Sequence, residues 1–330
     1  MLRISGFDEY FYLQWHINSQ CNLRCAHCYA QQANPHLGVE ELFLILDKYV
    51  AFLKKKGIKG RIQFSGGEPF LSKELFPLLM QAKNKNIPTR VLSNGTLITV
   101  QVAFELVKTG CRTVQISLDG DISVHNDIRG DKAFERALEG AIHLRNNNIK
   151  VTFQMTVSRR NHLSLKPVYD ISRQYANRFS LSRFVPIGYG IQMSNDVLSA
   201  KEMRGVFKTF TKLKSGNQID TPMRDPLWHP FFNRCNPHLL SGCSIGYNGI
   251  CIDSDGTVYP CRRLPIPLGN ILTQDLDVIY NSKVLNQLRD RDLLKGKCGK
   301  CRLRWQCGGC RAIAYAVNND YLHEDPQCFF

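Results

Sequence analysis

The sequence predicts an α/β fold: a partial (β/α)6 barrel followed by a cysteine-rich C-terminal domain. Three observations carry this. Short β-rich runs alternate with longer amphipathic stretches from residue 11 to about 186. The residue groups with chemical character each lie just after a β-rich run. Eight of the thirteen cysteines fall after residue 240.

Strands are expected at 12–18, 61–65, 89–93, 113–118, 150–157 and 179–185, and helices at 39–56, 72–86, 99–108, 131–146 and 163–175. Strands alternating with helices imply a parallel sheet with right-handed crossovers. Six units rather than eight leave the barrel open. In such folds the active site gathers at the C-terminal ends of the strands. There stand a cysteine triplet, Gly66-Gly67-Glu68, Asn94-Gly95 and Asp119-Gly120. Residues 187–242 are broken by Gly188, Gly190, Pro222, Pro226, Pro230 and Pro237, with one helix expected at 197–213. Further on, 250–259 predicts a hairpin turning at Ser254-Asp255-Gly256, and 276–288 and 310–317 predict helices. The expected division is a barrel at 1–190, a bridge at 191–242 and a cysteine domain at 243–330.

The chain is basic, with Lys+Arg 43 against Asp+Glu 28 and a formal net charge of +15. Such a balance attracts anionic partners. No nucleic-acid motif or array of stacking aromatics accompanies it, so no nucleic-acid partner is expected. Lys295, Lys297, Lys300, Arg302, Arg304 and Arg311 lie among the late cysteines and are expected to offset thiolate charge or to lie solvated at the surface. No run of eighteen apolar residues and no signal peptide are present, so a cytoplasmic protein without a membrane span is expected. In that reducing compartment clustered cysteines ligate metals rather than form disulfides.

Cys21-x3-Cys25-x2-Cys28 supplies three thiolates on one loop. Three thiolates leave one iron of a four-iron cluster without a protein ligand, the open position that a catalytic centre requires. Zinc with a distant fourth ligand, His27 or His16, is the alternative. His27 stands between the second and third cysteines and is expected to point away from the metal.

The segment Cys21-Asn22-Leu23-Arg24-Cys25-Ala26-His27-Cys28-Tyr29 resembles the signature loop of the radical S-adenosylmethionine enzymes. Phe64-Ser65-Gly66-Gly67-Glu68-Pro69 is similar to their second motif, and Leu92-Ser93-Asn94-Gly95-Thr96 and Ile116-Ser117-Leu118-Asp119-Gly120 match the ends of their third and fourth strands. The resemblance implies reductive cleavage of S-adenosylmethionine to methionine and a 5′-deoxyadenosyl radical, which abstracts hydrogen from a substrate. A flavodoxin or ferredoxin is the implied reductant. Gly66 and Gly67 allow close backbone approach to the cofactor, and Glu68 is expected to accept a hydrogen bond from its ammonium group. Asn94, Ser117 and Asp119 are further cofactor-binding candidates, each weighed against an ordinary turn. Arg183 and Arg129 are candidates for the methionine carboxylate, with Arg183 preferred.

Cys243-x12-Gly256-x4-Cys261 and Cys298-x2-Cys301-x5-Cys307-x2-Cys310, with Cys328, resemble the SPASM extension of that family. The resemblance implies an iron–sulfur domain with two auxiliary [4Fe–4S] clusters, three in all with the catalytic one. Cys298, Cys301, Cys307 and Cys328 would hold one. Cys243, Cys261 and Cys310 would hold the other, with Cys251 as fourth ligand and Cys235 as the runner-up. Freed from that duty, Cys235 is either a catalytic hydrogen donor or a plain thiol. Cys111 reads as core. Two zinc sites are the non-redox alternative for these cysteines.

A precursor peptide is the favoured substrate, with crosslinking, oxidation or epimerisation as the modification. A tetrapyrrole or other small molecule is the alternative, its propionates suiting the positive charge. Sulfatase maturases place an Asp after the cysteine at the Cys261 position; Arg262 stands here and argues against them. About ten residues precede the first strand, so peptide recognition is expected to fall to a separate protein or to the barrel face. A non-catalytic iron–sulfur electron carrier and a zinc-stabilised nucleic-acid binder are the readings outside enzymology.

Overall fold

Alternation along β1 (Tyr10–His16) buries Phe11, Leu13 and Trp15 on one side and leaves Tyr10, Tyr12 and Gln14 on the other. The same alternation recurs in β2 (Lys59–Ser65), β3 (Thr89–Ser93), β4 (Thr113–Ser117), β5 (Lys150–Val157) and β6 (Arg178–Arg183). The computed structural model describes residues 10–30, 36–216, 219–222, 225–231 and 243–330. In it the six strands pair in parallel and in chain order, as the alternation of strands and helices requires.

Their crossovers are α1 (Val39–Lys56), α2 (Leu75–Asn84), α3 (Val100–Lys108), α4 (Ile122–Arg129), α5 (Ala133–Asn146) and α6 (Leu165–Tyr175), followed by α7 (Ala200–Ser215). The apolar stripe of α1, including Leu42, Ile45, Leu46 and Tyr49, joins Leu13, Trp15, Ile62 and Phe64 in one core. Tyr49 buries its ring there and donates its hydroxyl to the Phe11 carbonyl at 2.6 Å. Helix α4 is absent from the sequence expectation. Asp121 starts it by accepting from the Val124 N–H at 3.2 Å, a local cap outweighed in the sequence by the turn-like Asp119-Gly120 pair. The helix expected at 276–288 is two, Leu276–Tyr280 and Lys283–Arg289.

The C-terminal hairpin does more than carry cysteines. Its strands β7 (Gly249–Ile252) and β8 (Thr257–Tyr259), with β9 (Gly269–Asn270), extend the barrel sheet beyond β1. β7 pairs in parallel with β1, placing Cys251 opposite Gln14 and Ile252 opposite Trp15. An open barrel leaves the backbone groups at the edge of β1 unpaired, and β7 satisfies them. A second core of Val185, Ile187, Leu264, Leu285, Leu288 and Ile313 packs the end of β6 against the C-terminal helices. Among the described residues no helix is long and apolar enough to cross a membrane.

Arg183, expected to meet the cofactor, is 2 % exposed and fastens these two parts instead. Nε donates to Asp225 at 2.6 Å, and both terminal nitrogens donate to Asp325 at 3.0 Å. Burial alone would weaken its charge, but Asp225 and Asp325 outweigh it and hold the pKa well above the ordinary value. With its fork already matched by a bidentate carboxylate, it has no pair of donors left for a methionine carboxylate.

Cys111 is 0 % exposed and packs within the barrel core. Cys111→Ala should therefore lower the unfolding free energy by about 1 kcal/mol in chemical melts and leave the iron content per chain unchanged.

Candidate active site

The segment after β1 is held to the end of β2 by backbone contacts. Gly67 N–H donates to the Asn18 carbonyl at 3.0 Å, and Glu68 N–H to the Gln20 carbonyl at 2.7 Å. A side chain on Gly66 would put its Cβ 2.3 Å from the Asn18 carbonyl oxygen, and one on Gly67 would lie 2.1 Å from that of Gln20. Only glycine fits at either position.

Glu68, expected to accept from the cofactor's ammonium group, is engaged within the protein. It is 0 % exposed and accepts from Ser93 Oγ at 2.8 Å, Asn94 N–H at 2.8 Å and Phe70 N–H at 3.3 Å. The carboxyl therefore braces the ends of β2 and β3. Burial pushes its pKa from 4.5 to about 7, against the pull of those hydrogen bonds. Asn94 reaches the cysteine loop, donating to Asn22 Oδ1 at 2.9 Å and approaching Cys21 Sγ at 3.8 Å. Ser117 lines the cavity over that loop.

Asp119, another cofactor candidate, is wholly buried beneath the loop. It accepts from Arg129 Nε at 2.6 Å and Thr156 N–H at 2.7 Å, and lies 3.1 Å from His27 Nε2. Burial opposes its charge, yet Arg129 and His27 hold it far below the usual carboxylate range. Its role is to position the loop; it does not reach the cavity. Arg129, a candidate for the methionine carboxylate from the sequence, continues from Asp119 to Cys25 Sγ at 3.6 Å.

The loop thiols suit a cluster. Leu23 N–H lies 3.5 Å from Cys21 Sγ, and with Asn94 and Arg129 it provides donors that stabilise thiolate. His27 Nε2 faces Asp119 at 3.1 Å, and His16 Nδ1 lies 3.3 Å from Asp253. Among the described residues no three His, Cys, Asp or Glu side chains converge on a single metal ion. Three thiols on one loop match the thiolate donors that an iron–sulfur cluster takes.

The late cysteines fall into two groups. Cys298, Cys301, Cys307 and Cys328 surround a cavity of about 210 Å³. Backbone N–H groups point at three of these sulfurs, from Asp325, Leu303 and Gly309 at 3.4 Å. Cys243, Cys251 and Cys261 line a second cavity of about 180 Å³, and the charge of Cys310 acts on Cys243. The Cys251 thiol also lies 3.8 Å from His16 Nε2. Cys235 lies outside the described residues.

Beside the loop opens a larger cavity of about 530 Å³, lined by His16, Tyr29, Cys251, Asp253, Tyr259 and Arg262 among others. Tyr29, Gly66, Gly67 and Arg262 are shared with the cavity over the cysteine triplet, so the two adjoin. His16 joins Asp253 through Nδ1 and Tyr29 through Nε2, each at 3.3 Å. The sequence reading missed this group. Its one legible sign is that alternation places His16 on the same face of β1 as Gln14, away from the core.

The Radical SAM superfamily matches residues 15–162, and the SPASM iron-sulfur cluster-binding domain matches residues 243–307. The chain is a radical S-adenosylmethionine enzyme with a C-terminal SPASM domain. Binding of S-adenosylmethionine and of [4Fe–4S] clusters follows from these two domains. The enzyme is 28% identical over 350 residues to an AdoMet-dependent heme synthase of Methanosarcina barkeri, covering 96% of each chain. It is 26% identical over 342 residues to the mycofactocin maturase MftC of Mycobacterium tuberculosis, covering 98% of this chain and 84% of that one. Its fold is similar to that of Streptococcus suis SuiB bound to its precursor peptide SuiA, with a TM-score of 0.77 at 19% identity over 97% of this chain and 76% of that one.

A buried carboxyl whose pKa is raised on folding contributes less stability as pH climbs from its unfolded value to its folded one. Glu68 should do so between 4.5 and about 7. Glu68→Gln removes this slope and leaves one donor poorly paired. Urea melts should show the variant destabilised by about 1–3 kcal/mol, with the difference from wild type larger at the acid end of that window than at the neutral end. A difference that grows with pH would mean that Glu68 is ionised throughout.

Proposed function

We propose that this enzyme carries out hydrogen abstraction on a carboxylate-bearing tetrapyrrole. The observation that carries the reading is the cavity of about 530 Å³ that adjoins the cysteine triplet. Its size suits a compact ligand rather than a long extended chain. Similarity along the whole chain to proteins described as an AdoMet-dependent heme synthase and an Fe-coproporphyrin III synthase supports the same class. A peptide substrate, favoured from the sequence, is the second reading, supported by the similarity to the mycofactocin maturase.

Within this proposal Cys21, Cys25 and Cys28 hold the catalytic cluster. The backbone at Gly66 and Gly67 would hold the methionine end of the cofactor, with Ser117 lining the same cavity. Cys298, Cys301, Cys307 and Cys328 hold one auxiliary cluster. Cys243, Cys261 and Cys310 hold the other, with Cys251 as the fourth thiol that the described residues supply. Cluster and cofactor together supply, when bound, a 5′-deoxyadenosyl radical that takes hydrogen from substrate, driven by a reductant of the flavodoxin or ferredoxin class. The chain orients these groups: Asp119 and Arg129 fix the cysteine loop, and Glu68 fixes the glycine turn.

Anaerobically reconstituted enzyme should hold about twelve irons per chain, four for each cluster. With reductant, S-adenosylmethionine and iron coproporphyrin III, it should form 5′-deoxyadenosine in step with a change in porphyrin mass. Cys25→Ala should abolish both and hold about eight irons. Unaltered porphyrin, with 5′-deoxyadenosine released only when a precursor peptide is added, would move the assignment to the second reading.

A further inference from the structure

The buried arginines of this protein are already engaged. Arg129 is paired with Asp119, and Arg183 with Asp225 and Asp325. Arg311 donates to the Tyr321 and His323 carbonyls and lies 3.6 Å from Cys298 Sγ, and Arg291 donates to the Cys243 carbonyl. Neither Arg291 nor Arg311 has a carboxylate partner among the described residues, and half-buried Arg263, which donates Nη1 to the Arg183 carbonyl at 2.8 Å, lines only the cavity over the cysteine triplet. Arg262 is half-buried as well, has no carboxylate partner among the described residues and makes a single hydrogen bond, from Nη1 to Gln14 Oε1 at 2.9 Å. Its guanidinium lies 5.7 Å from the centre of the Tyr29 ring, which steadies the cation without using its donors.

Position adds the second part of the argument. Arg262 lines both the 530 Å³ cavity and the adjoining cavity over the cysteine triplet. A guanidinium held at one corner, with the rest of its fork open to a cavity, is matched by a planar anion that accepts two parallel hydrogen bonds. Asp253 lies in the same cavity with its Oδ1 3.3 Å from His16 Nδ1, and among the described residues no carboxylate pairs with Arg262.

We infer that Arg262 is the specificity-determining anchor for a substrate carboxylate, holding it so that the neighbouring carbon chain lies between the large cavity and the cysteine loop. The inference rests on the tetrapyrrole reading above and names the group of that substrate which the protein grips. Gln14 and Tyr29 hold the guanidinium in place, and the carboxylate completes its pairing.

The test is a binding titration of the cluster-loaded enzyme, without reductant, using iron coproporphyrin III and its methyl ester. Porphyrin absorbance reports binding, and iron content confirms that each variant is folded and loaded. Loss of a charge-assisted pair predicts that Arg262→Gln weakens binding of the free acid by about tenfold to a hundredfold. Arg262→Lys keeps the charge but not the fork, and should fall between the two. The ester, which lacks the anion, should bind wild type and Arg262→Gln alike. Equal binding of the free acid by wild type and Arg262→Gln would overturn the role of Arg262 and leave the substrate class standing. Weakened binding of S-adenosylmethionine in Arg262→Gln, with porphyrin binding intact, would also overturn it by assigning Arg262 to the cofactor carboxylate. No porphyrin binding by wild type would remove the substrate class itself, and the anchor with it.

Discussion

The loop of Cys21, Cys25 and Cys28 depends on one buried carboxylate, that of Asp119. A charge with no access to water is tolerated only when it is paired and hydrogen-bonded. Here Arg129, Thr156 and His27 meet that need from three different segments. The end of β4, the backbone of β5, helix α4 and the cysteine loop consequently form one unit. Arg129 extends the chain of contacts to Cys25. Removing any member would strand a buried charge, so the loop has little freedom to drift from the strand ends.

A second constraint joins the barrel to the SPASM domain. β1 lies between β2 on one side and β7 on the other, so the strand that leads into the cysteine loop is also hydrogen-bonded to the strand that carries Cys251. The Arg183–Asp325 pair closes the opposite side, where β6 meets the last turn of the chain. The cavity between these two fastenings is thus bounded by both domains. His16 and Tyr29 come from one, and Asp253, Tyr259 and Arg262 from the other.

Charge is used locally. Of the basic residues among the late cysteines, Arg311 is buried and reaches the Cys298 sulfur. Lys295 and Arg304 instead pair with Asp320 and Asp292 near the surface. Offset of thiolate charge is therefore the work of particular buried guanidinium groups, while the other cations help to set the net charge.

The sequence by itself determined the alternation of strands and helices, the parallel order of six strands and the three groups of thiols. These are local properties: burial period within an element, and ligand spacing within a loop. Strands at 89–93 and 150–157 and the helix at 39–56 agree with the structure to the residue, because each is bounded by its own breakers and caps. Tertiary structure decided what the polar groups at the strand ends do. Glu68, Asp119 and Arg183 all look like cofactor ligands when judged by position alone. In the folded chain each meets a partner from another segment, Ser93 and Asn94 for Glu68, Arg129 for Asp119, and Asp325 for Arg183. Whether a buried charge is already neutralised is a property of the packed molecule, since the partner arrives only when the chain has folded. By the same reason Arg262, one basic residue among many in the sequence, is distinguished only in the folded chain, where it stands between two adjoining cavities with no carboxylate partner among the described residues.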